Sequence, residues 1–313
     1  MSTPTRDELK PHQQAFKNFL KETETLRPDL YRYCRHLSAS AWDTEDLVQE
    51  TLLRCYAQLG CTYFEINNWR AYLFRTASNL WMNEQHRAGR VQPCEEIAQY
   101  PAETPPKLGE EVRSAFTLLL RHLAPQERAA LVLHEVFDLP AAEIATYLQT
   151  TAGAVKHALH RAREKVARAA PPQQETYPTP VPCPRVLQEF VDAFNAHDLE
   201  RVVALLREDA TATVVGLVEE HDREMIRKGS LPHTIGEHTF VEATLYRGEW
   251  IVLLGSRLDR SETLNGVSEV LRFTHADGQI VSFKYYFFAQ DFMKEVLAEL
   301  DRKPKLSGCY FFE

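Results

Sequence analysis

The chain has 313 residues, 44% of them hydrophobic and 26% charged, with a formal net charge of −8 at pH 7. That length suits two or three domains, and the composition is ordinary for a soluble globular protein. No apolar run approaches the ~20 residues of a membrane span and the polar start is unlike a signal peptide, so a cytoplasmic protein is expected. The six cysteines are scattered with no C-x-x-C pair, which argues for free thiols and against a bound metal; no cofactor is expected either.

Residues 1–14 are polar, with Pro4 and Pro11, and are expected to fray. Helical periodicity begins near Phe16 and resumes after Pro28 in Leu30–Leu37. A strong helix start follows at Asp43-Thr44-Glu45-Asp46, where Asp43 is the expected cap and the acidic first turn suits the helix dipole. This helix should bury Leu47, Val48, Leu52, Tyr56 and Leu59, while Asp46, Gln49, Glu50 and Arg54 project from another side. The next helix, Asn68 to Gly89, has Asn68 as its cap and mixes aromatics (Trp69, Tyr72, Phe74, Trp81) with cations (Arg70, Arg75, His86, Arg87). Such a mixture suits single-stranded DNA, with rings stacking on bases and Arg holding the backbone; the plain alternative is that the aromatics are core, favoured for Trp69 and Leu73.

Residues 91–110 hold four prolines and many acidic or amide side chains, and read as a linker. Helical pattern returns at Val112–His122 and again from Pro125 to about Phe137. The stretch from Ala141 to Val166 reads as two helices joined by a tight turn at Gln149-Thr150. Gln149 stands at a turn position often filled by glycine. Thr151 is placed to cap the second helix. Val155, Leu159, Ala162 and Val166 form its buried stripe, and Lys156, His157, His160, Arg161, Arg163 and Arg168 make a basic face. The small first turn, Ala152-Gly153-Ala154, lets the backbone approach another surface. This is the layout of a DNA-binding helix-turn-helix, whose second helix reads base edges while Arg and Lys neutralise phosphate. The bland alternative is a helical hairpin with a solvated basic face.

DTEDLVQETLLRCY, then NWRAYLFRTASNL, then a linker, then the helix-turn-helix, together resemble a bacterial sigma factor of the sigma-70 family. The group resembled is the minimal one, the extracytoplasmic function (ECF) sigma factors, which keep only regions 2 and 4. The resemblance covers about residues 15–168. It implies a region 2 domain over 1–90, a linker over 91–110 and a region 4 helix-turn-helix domain over 111–168, both domains all-α. It further implies that Asp46, Gln49 and Glu50 dock on core RNA polymerase. Arg75, Asn79, Asn83 and Arg87 fall on the helix that captures the unpaired minus-10 element, with Asn79 where the family often has Asn. Thr151, Gly153, Lys156, His157, His160, Arg161 and Arg163 fall on the reader of the minus-35 element. Core polymerase and promoter DNA are the implied partners.

The net charge of −8 looks wrong for a DNA-binding protein until it is divided. Residues 184–313 hold 15 Lys+Arg against 22 Asp+Glu, whereas residues 1–183 hold 21 against 22. The acidity therefore sits in the C-terminal part, a poor candidate for touching nucleic acid. That part follows a linker over 169–184 with six prolines. Its pattern is two helices (about 186–194 and 197–206), then strands at 210–216, 239–246, 250–258, 267–274 and 279–288, then a helix from Asp291. Arg247-Gly248 and Asp277-Gly278 mark hairpin turns. This is an α+β order. FVDAFNAHDLERVVALLREDATATVVG resembles the opening of SnoaL-like domains, the cone-shaped nuclear-transport-factor-2-like fold, over 185–313. Asp259, His238, Glu242 and His275 are candidate pocket groups, but no spacing ties two of them into a catalytic pair, so a regulatory domain, with a small-molecule ligand as an option, is favoured over an enzyme. Two rival readings stand: a free-standing helix-turn-helix regulator, and a SnoaL-like isomerase or cyclase tethered to a DNA-binding module.

Overall fold

The computed structural model describes residues 6–61, 66, 68–87, 120, 123–168, 182–215, 218–236, 238–256, 264 and 266–305. The chain divides into two compact units, Met1–Gln174 and Glu175–Glu313. The expected linkers at 91–110 and, up to residue 181, at 169–184 lie outside the described residues, as does most of the expected helix 112–122. No helix among the described residues is long and apolar enough to cross a membrane.

The first unit opens with α1, Arg6–Leu37, α2, Ala41–Cys61, and α3, Trp69–Arg87. Helix α1 corrects two expectations: it is already helical at Arg6, and it runs unbroken through Pro28. A proline inside a helix costs about 3 kcal/mol. Here the residues on both sides of it are buried, Phe19 and Thr23 before and Leu30, Tyr33, Cys34 and Leu37 after, and that burial outweighs the lost bond. Beside Pro28, Arg27 is sunk into the bundle and donates to Glu45 of α2 at 2.5 Å, with both side chains almost fully buried. The cap of α2 is Ser40 rather than Asp43. The Ser40 Oγ accepts the Asp43 N–H at 3.1 Å, which places Asp43 inside the first turn. Asn68 caps α3 as expected, its Oδ1 accepting from Ala71 N at 2.9 Å.

Three described helices follow: α4, Pro125–Glu135, α5, Ala141–Tyr147, and α6, Ala152–Arg168. They are not independent of the upstream bundle. Phe137, just beyond α4, is buried with its ring edge-on to Phe74 at 5.1 Å and to Tyr33 at 6.0 Å. The guanidinium groups of Arg32 and Arg70 cover the same ring at 4.5 and 5.4 Å. Arg128 of α4 reaches the Leu37 carbonyl at the end of α1 (2.9 Å) and lies 5.1 Å from the Trp81 ring centre. Tyr147 of α5 adds to the contact, edge-on to Phe74 at 6.1 Å. Phe74 and Trp81 are therefore core, and of the four aromatics read on α3 only Trp69 and Tyr72 stay partly open.

The second unit contains α7, Arg185–Asn195, α8, Leu199–Ala204, β1, Leu206–Val214, β2, Val218–His221, α9, Arg223–Lys228, and α10, Ser230–Thr234. Strands β3, Phe240–Tyr246, β4, Glu249–Ser256, β5, Gly266–Ala276, and β6, Gln279–Tyr285, and helix α11, Gln290–Glu299, complete it. The six strands form one sheet in the order β2-β1-β6-β5-β4-β3, antiparallel except at β1–β6. Arg247-Gly248 and Asp277-Gly278 take positive φ at both positions, the two-residue turns that match strand twist. Val186, Leu187, Phe190 and Phe194 of α7 pack on one sheet face against Val241, Val252, Leu271 and Phe283. Asn195 closes that contact by trading two hydrogen bonds with the Val241 backbone of edge strand β3, at 2.9 and 2.8 Å. The order is α+β with a helix-covered sheet face, as expected of the SnoaL-like cone. Strand β2 and helices α9 and α10 escape the sequence pattern, since four residues carry no period and Gly229 and Pro232 interrupt the helical signal.

None of the described pocket groups read from sequence is buried against that covered surface. His238 and His275 are exposed. Glu242 lies between the core residues Val241 and Ala243, hence on the opposite face, where it pairs with Arg302 at 2.7 Å. Asp259 lies outside the described residues.

Candidate nucleic-acid interface

The hairpin of α5 and α6 is built by backbone bonds that end one helix and start the next. Leu148 N donates to Ile144 O at 2.9 Å and Thr150 N to Ala145 O at 2.9 Å. Between them Gln149 sits at φ 51°, in the left-handed region. That explains why glycine suits this position: a side chain here is held against a penalty of roughly 1–2 kcal/mol. Gln149→Gly should therefore leave the melting temperature of the N-terminal unit unchanged or slightly raised, and a drop of several degrees would show that the amide side chain has a contact of its own. Thr151 caps α6, its Oγ1 accepting from Ala154 N at 3.1 Å.

Helix α6 buries Val155, Ala158, Leu159 and Ala162, while Val166, expected in the stripe, is only partly covered. Thr151, Gly153, Lys156, His157 and His160 are exposed together on the N-terminal half. A Cβ at Gly153 would meet nothing closer than Thr151 Oγ1 at 3.9 Å, so this turn is open rather than packed. The two arginines behave differently. Arg161 donates to Glu127 of α4 at 2.9 Å, and Arg163 makes two bonds to Glu135 at 2.7 and 3.1 Å. Lys165 joins Arg161 on Glu127 at 2.8 Å. Burial pushes the Glu127 carboxyl up, but its bonds to Lys165 and Arg161 outweigh that and hold it below the usual range. Arg161 and Arg163 thus tie α6 to α4, while Arg161 stays 56% exposed and faces outward with the five residues before it.

On α3, Asn79, Asn83 and Arg87 are exposed and Arg75 is partly so, 5.2 Å from the Tyr72 ring centre. Their four-residue spacing draws one stripe opposite the buried Leu73, Phe74, Ala77 and Trp81. On α2, Asp46 and Glu50 are exposed, while Gln49 turns inward and donates to Glu45 at 2.6 Å. Along the same stripe lie Leu53, 55% exposed, and Tyr56, 48% exposed. Residue type assigns Tyr56 to the core, and nothing in the sequence pattern singles out Leu53. The signal lies in the helical phase: Leu47, Val48, Thr51, Leu52 and Cys55 fill the buried arc, and Leu53 and Tyr56 fall outside it. Leu53 and Tyr56 thus add two half-exposed apolar groups to the acidic side of α2.

A cationic helix-turn-helix packed in one unit behind an upstream helical bundle is the plan of the sigma-70 class. Residues 23–91 match Sigma-70 region 2 and residues 113–166 match Sigma-70, region 4. The ECF RNA polymerase sigma factor SigD of Mycobacterium bovis is 30% identical over 167 residues, which cover 48% of this chain and 76% of SigD. SigG of Mycobacterium tuberculosis, also an ECF RNA polymerase sigma factor, is 29% identical over 231 residues, 64% of this chain; the chain spans 62% of SigG. The crystal structure of M. tuberculosis ECF sigma factor SigJ aligns with 85% of this chain and 95% of its own at 22% identity, with a TM-score of 0.34. The chain belongs to the ECF RNA polymerase sigma factor family.

Proposed function

We propose that this protein binds core RNA polymerase in the cytoplasm and directs it to a small set of promoters, with its C-terminal unit regulating that activity in cis and no catalytic role. The observation that carries the reading is the exposed N-terminal half of α6, where Lys156 and His157 make no ion pair among the described residues and stand beside an open glycine turn. That is how a recognition helix meets a major groove. In this reading Lys156, His157 and His160 contact the minus-35 element, Arg75, Asn79, Asn83 and Arg87 the minus-10 element, and Asp46 and Glu50 the polymerase. Leu53 and Tyr56 extend the polymerase-facing stripe.

Capture of bacterial core RNA polymerase by the full chain and by residues 1–174, a compact unit with its own core, tests the reading. Capture by either supports it. Stronger capture by 1–174 gives the C-terminal unit an inhibitory sign, weaker capture an assisting one. If both are folded and neither binds, a free-standing DNA-binding regulator replaces the sigma reading. In the holoenzyme, Lys156→Ala should weaken promoter binding and, for a phosphate contact, lower the salt slope by about one. An unchanged affinity and slope would remove Lys156 from the interface.

A further inference from the structure

One acid is left over when the ion pairs of the helix-turn-helix are assigned. Glu164 of α6 is only 14% exposed, and its Oε1 is buried with no hydrogen bond among the described residues. It stands one turn after His160, whose Nε2 is 3.8 Å away. That is ion-pair distance for a charged ring and too long for a hydrogen bond. His160 is itself 46% exposed, on the face it shares with Lys156 and His157. One edge of the imidazole is therefore turned to a carboxylate, while the ring stands open to whatever meets the helix.

The charged and titratable groups of the helices packed against α6 are committed elsewhere. Glu127 of α4 holds Arg161 and Lys165, and Glu135 holds Arg163. Arg128 donates to the Leu120 and Leu37 carbonyls, and His134 pairs with the Leu139 carbonyl through Nδ1. From α5, Glu143 accepts from the Tyr147 hydroxyl at 3.0 Å. Among the described residues, Glu164 is thus the one acid within ion-pair distance of His160, and His160 the one base within that distance of Glu164. A neutral imidazole donates from a single nitrogen, whereas the protonated ring donates from both. When a DNA phosphate comes up against this face, His160 lies between two acceptors, and only its protonated form serves both.

We propose that His160 and Glu164 make promoter binding proton-dependent: His160 takes up a proton as it bridges Glu164 and a phosphate of the minus-35 duplex. The proposal rests on reading α6 as the DNA-contacting helix, and names how that contact is regulated. The DNA-bound state holds the proton more tightly than the free state. Binding therefore tightens as the pH falls through the histidine range, about pH 8 to pH 5, and the gain is lost above it. His157 has no acid within ion-pair distance among the described residues, so its neutral ring can give its one N–H to a phosphate, and it adds less to the pH dependence.

The test uses holoenzyme assembled from the full chain and bacterial core RNA polymerase, with the duplex it enriches from a random-sequence library as the probe. Affinity is read as a ratio to His160→Gln holoenzyme, which cancels any titration of the polymerase. From pH 8 to pH 6 that ratio should rise by up to about tenfold, the ceiling for one proton held about one pH unit more tightly. Calorimetry in buffers of different ionisation enthalpy should show proton uptake on binding with the natural chain and much less with His160→Gln. Glu164→Gln should flatten the pH profile and keep the affinity at pH 8 at or above the natural level, because an amide can donate to the neutral ring and carries no charge to repel DNA. A merely structural role would move affinity equally at every pH. A ratio that changes by less than about twofold, an unchanged proton uptake in His160→Gln, or a Glu164→Gln profile as steep as the natural one overturns the proposal. Polymerase capture and the effect of Lys156→Ala at pH 8 read the transcription role separately, so a failure of one is not mistaken for a failure of the other.

Discussion

Phe137→Ala should destabilise the N-terminal unit by about 3–5 kcal/mol, the range for removing a buried aromatic ring. Phe137 is 8% exposed and is the point at which the segment after α4 enters the upstream bundle. Its removal takes away edge contacts with Tyr33 and Phe74 and uncovers the space beneath Arg32 and Arg70. Phe137→Leu refills much of that volume but offers the two guanidinium groups no ring face, so its loss should be smaller and should include the cation–π part, about 0.5–1 kcal/mol for each exposed contact. Chemical unfolding followed by circular dichroism reads both variants. The C-terminal transition should not move, because the two units have separate cores. The same contact has a functional side. It ties the segment between α4 and α5 to α3 through Phe74, so any state in which α3 and the helix-turn-helix part must first release Phe137. Phe137→Ala should accordingly raise protease sensitivity in the N-terminal unit. A stability loss under about 1 kcal/mol would mean that the ring packs too loosely to hold the two parts together.

Breaking the Arg27–Glu45 pair should be equally costly, about 3–5 kcal/mol for either single change, because the surviving charge is left buried. Arg27 is 3% exposed and Glu45 0%. Glu45 also accepts from Gln49, so the pair orders that inward-turned side chain of α2 as well as joining α1 to α2. Arg27→Met and Glu45→Leu should each lower the unfolding midpoint sharply. The double variant should lose much less than the sum, since it leaves no charge stranded. Additive losses would show that each group is held by other partners and that the pair itself contributes little.

Much of the site is legible in the amino-acid sequence. Asn68 and Thr151 cap their helices because a side-chain acceptor three residues before a free N–H is a local matter. Val155, Leu159 and Ala162 are buried because period and residue type fix a helix face. The glycine-containing hairpin turns form for the same local reason. Local rules fail where distant contacts overrule them. Pro28 does not break α1, because burial on both sides of it is worth more than the one bond it removes. Tyr56 is exposed although its type suggests core.

Sequence alone determined the order of elements, the helix-turn-helix, and the cationic face with Lys156, His157 and His160, since these follow from periodicity, capping and charge within a few residues. Only the tertiary structure decided that Arg161 and Arg163 are tied back to Glu127 and Glu135 and that Phe137 locks into a bundle sixty and more residues upstream. The reason is physical. A side chain's direction is set by its own backbone, but its partner is set by which strand or helix the fold brings opposite, and no local pattern encodes that.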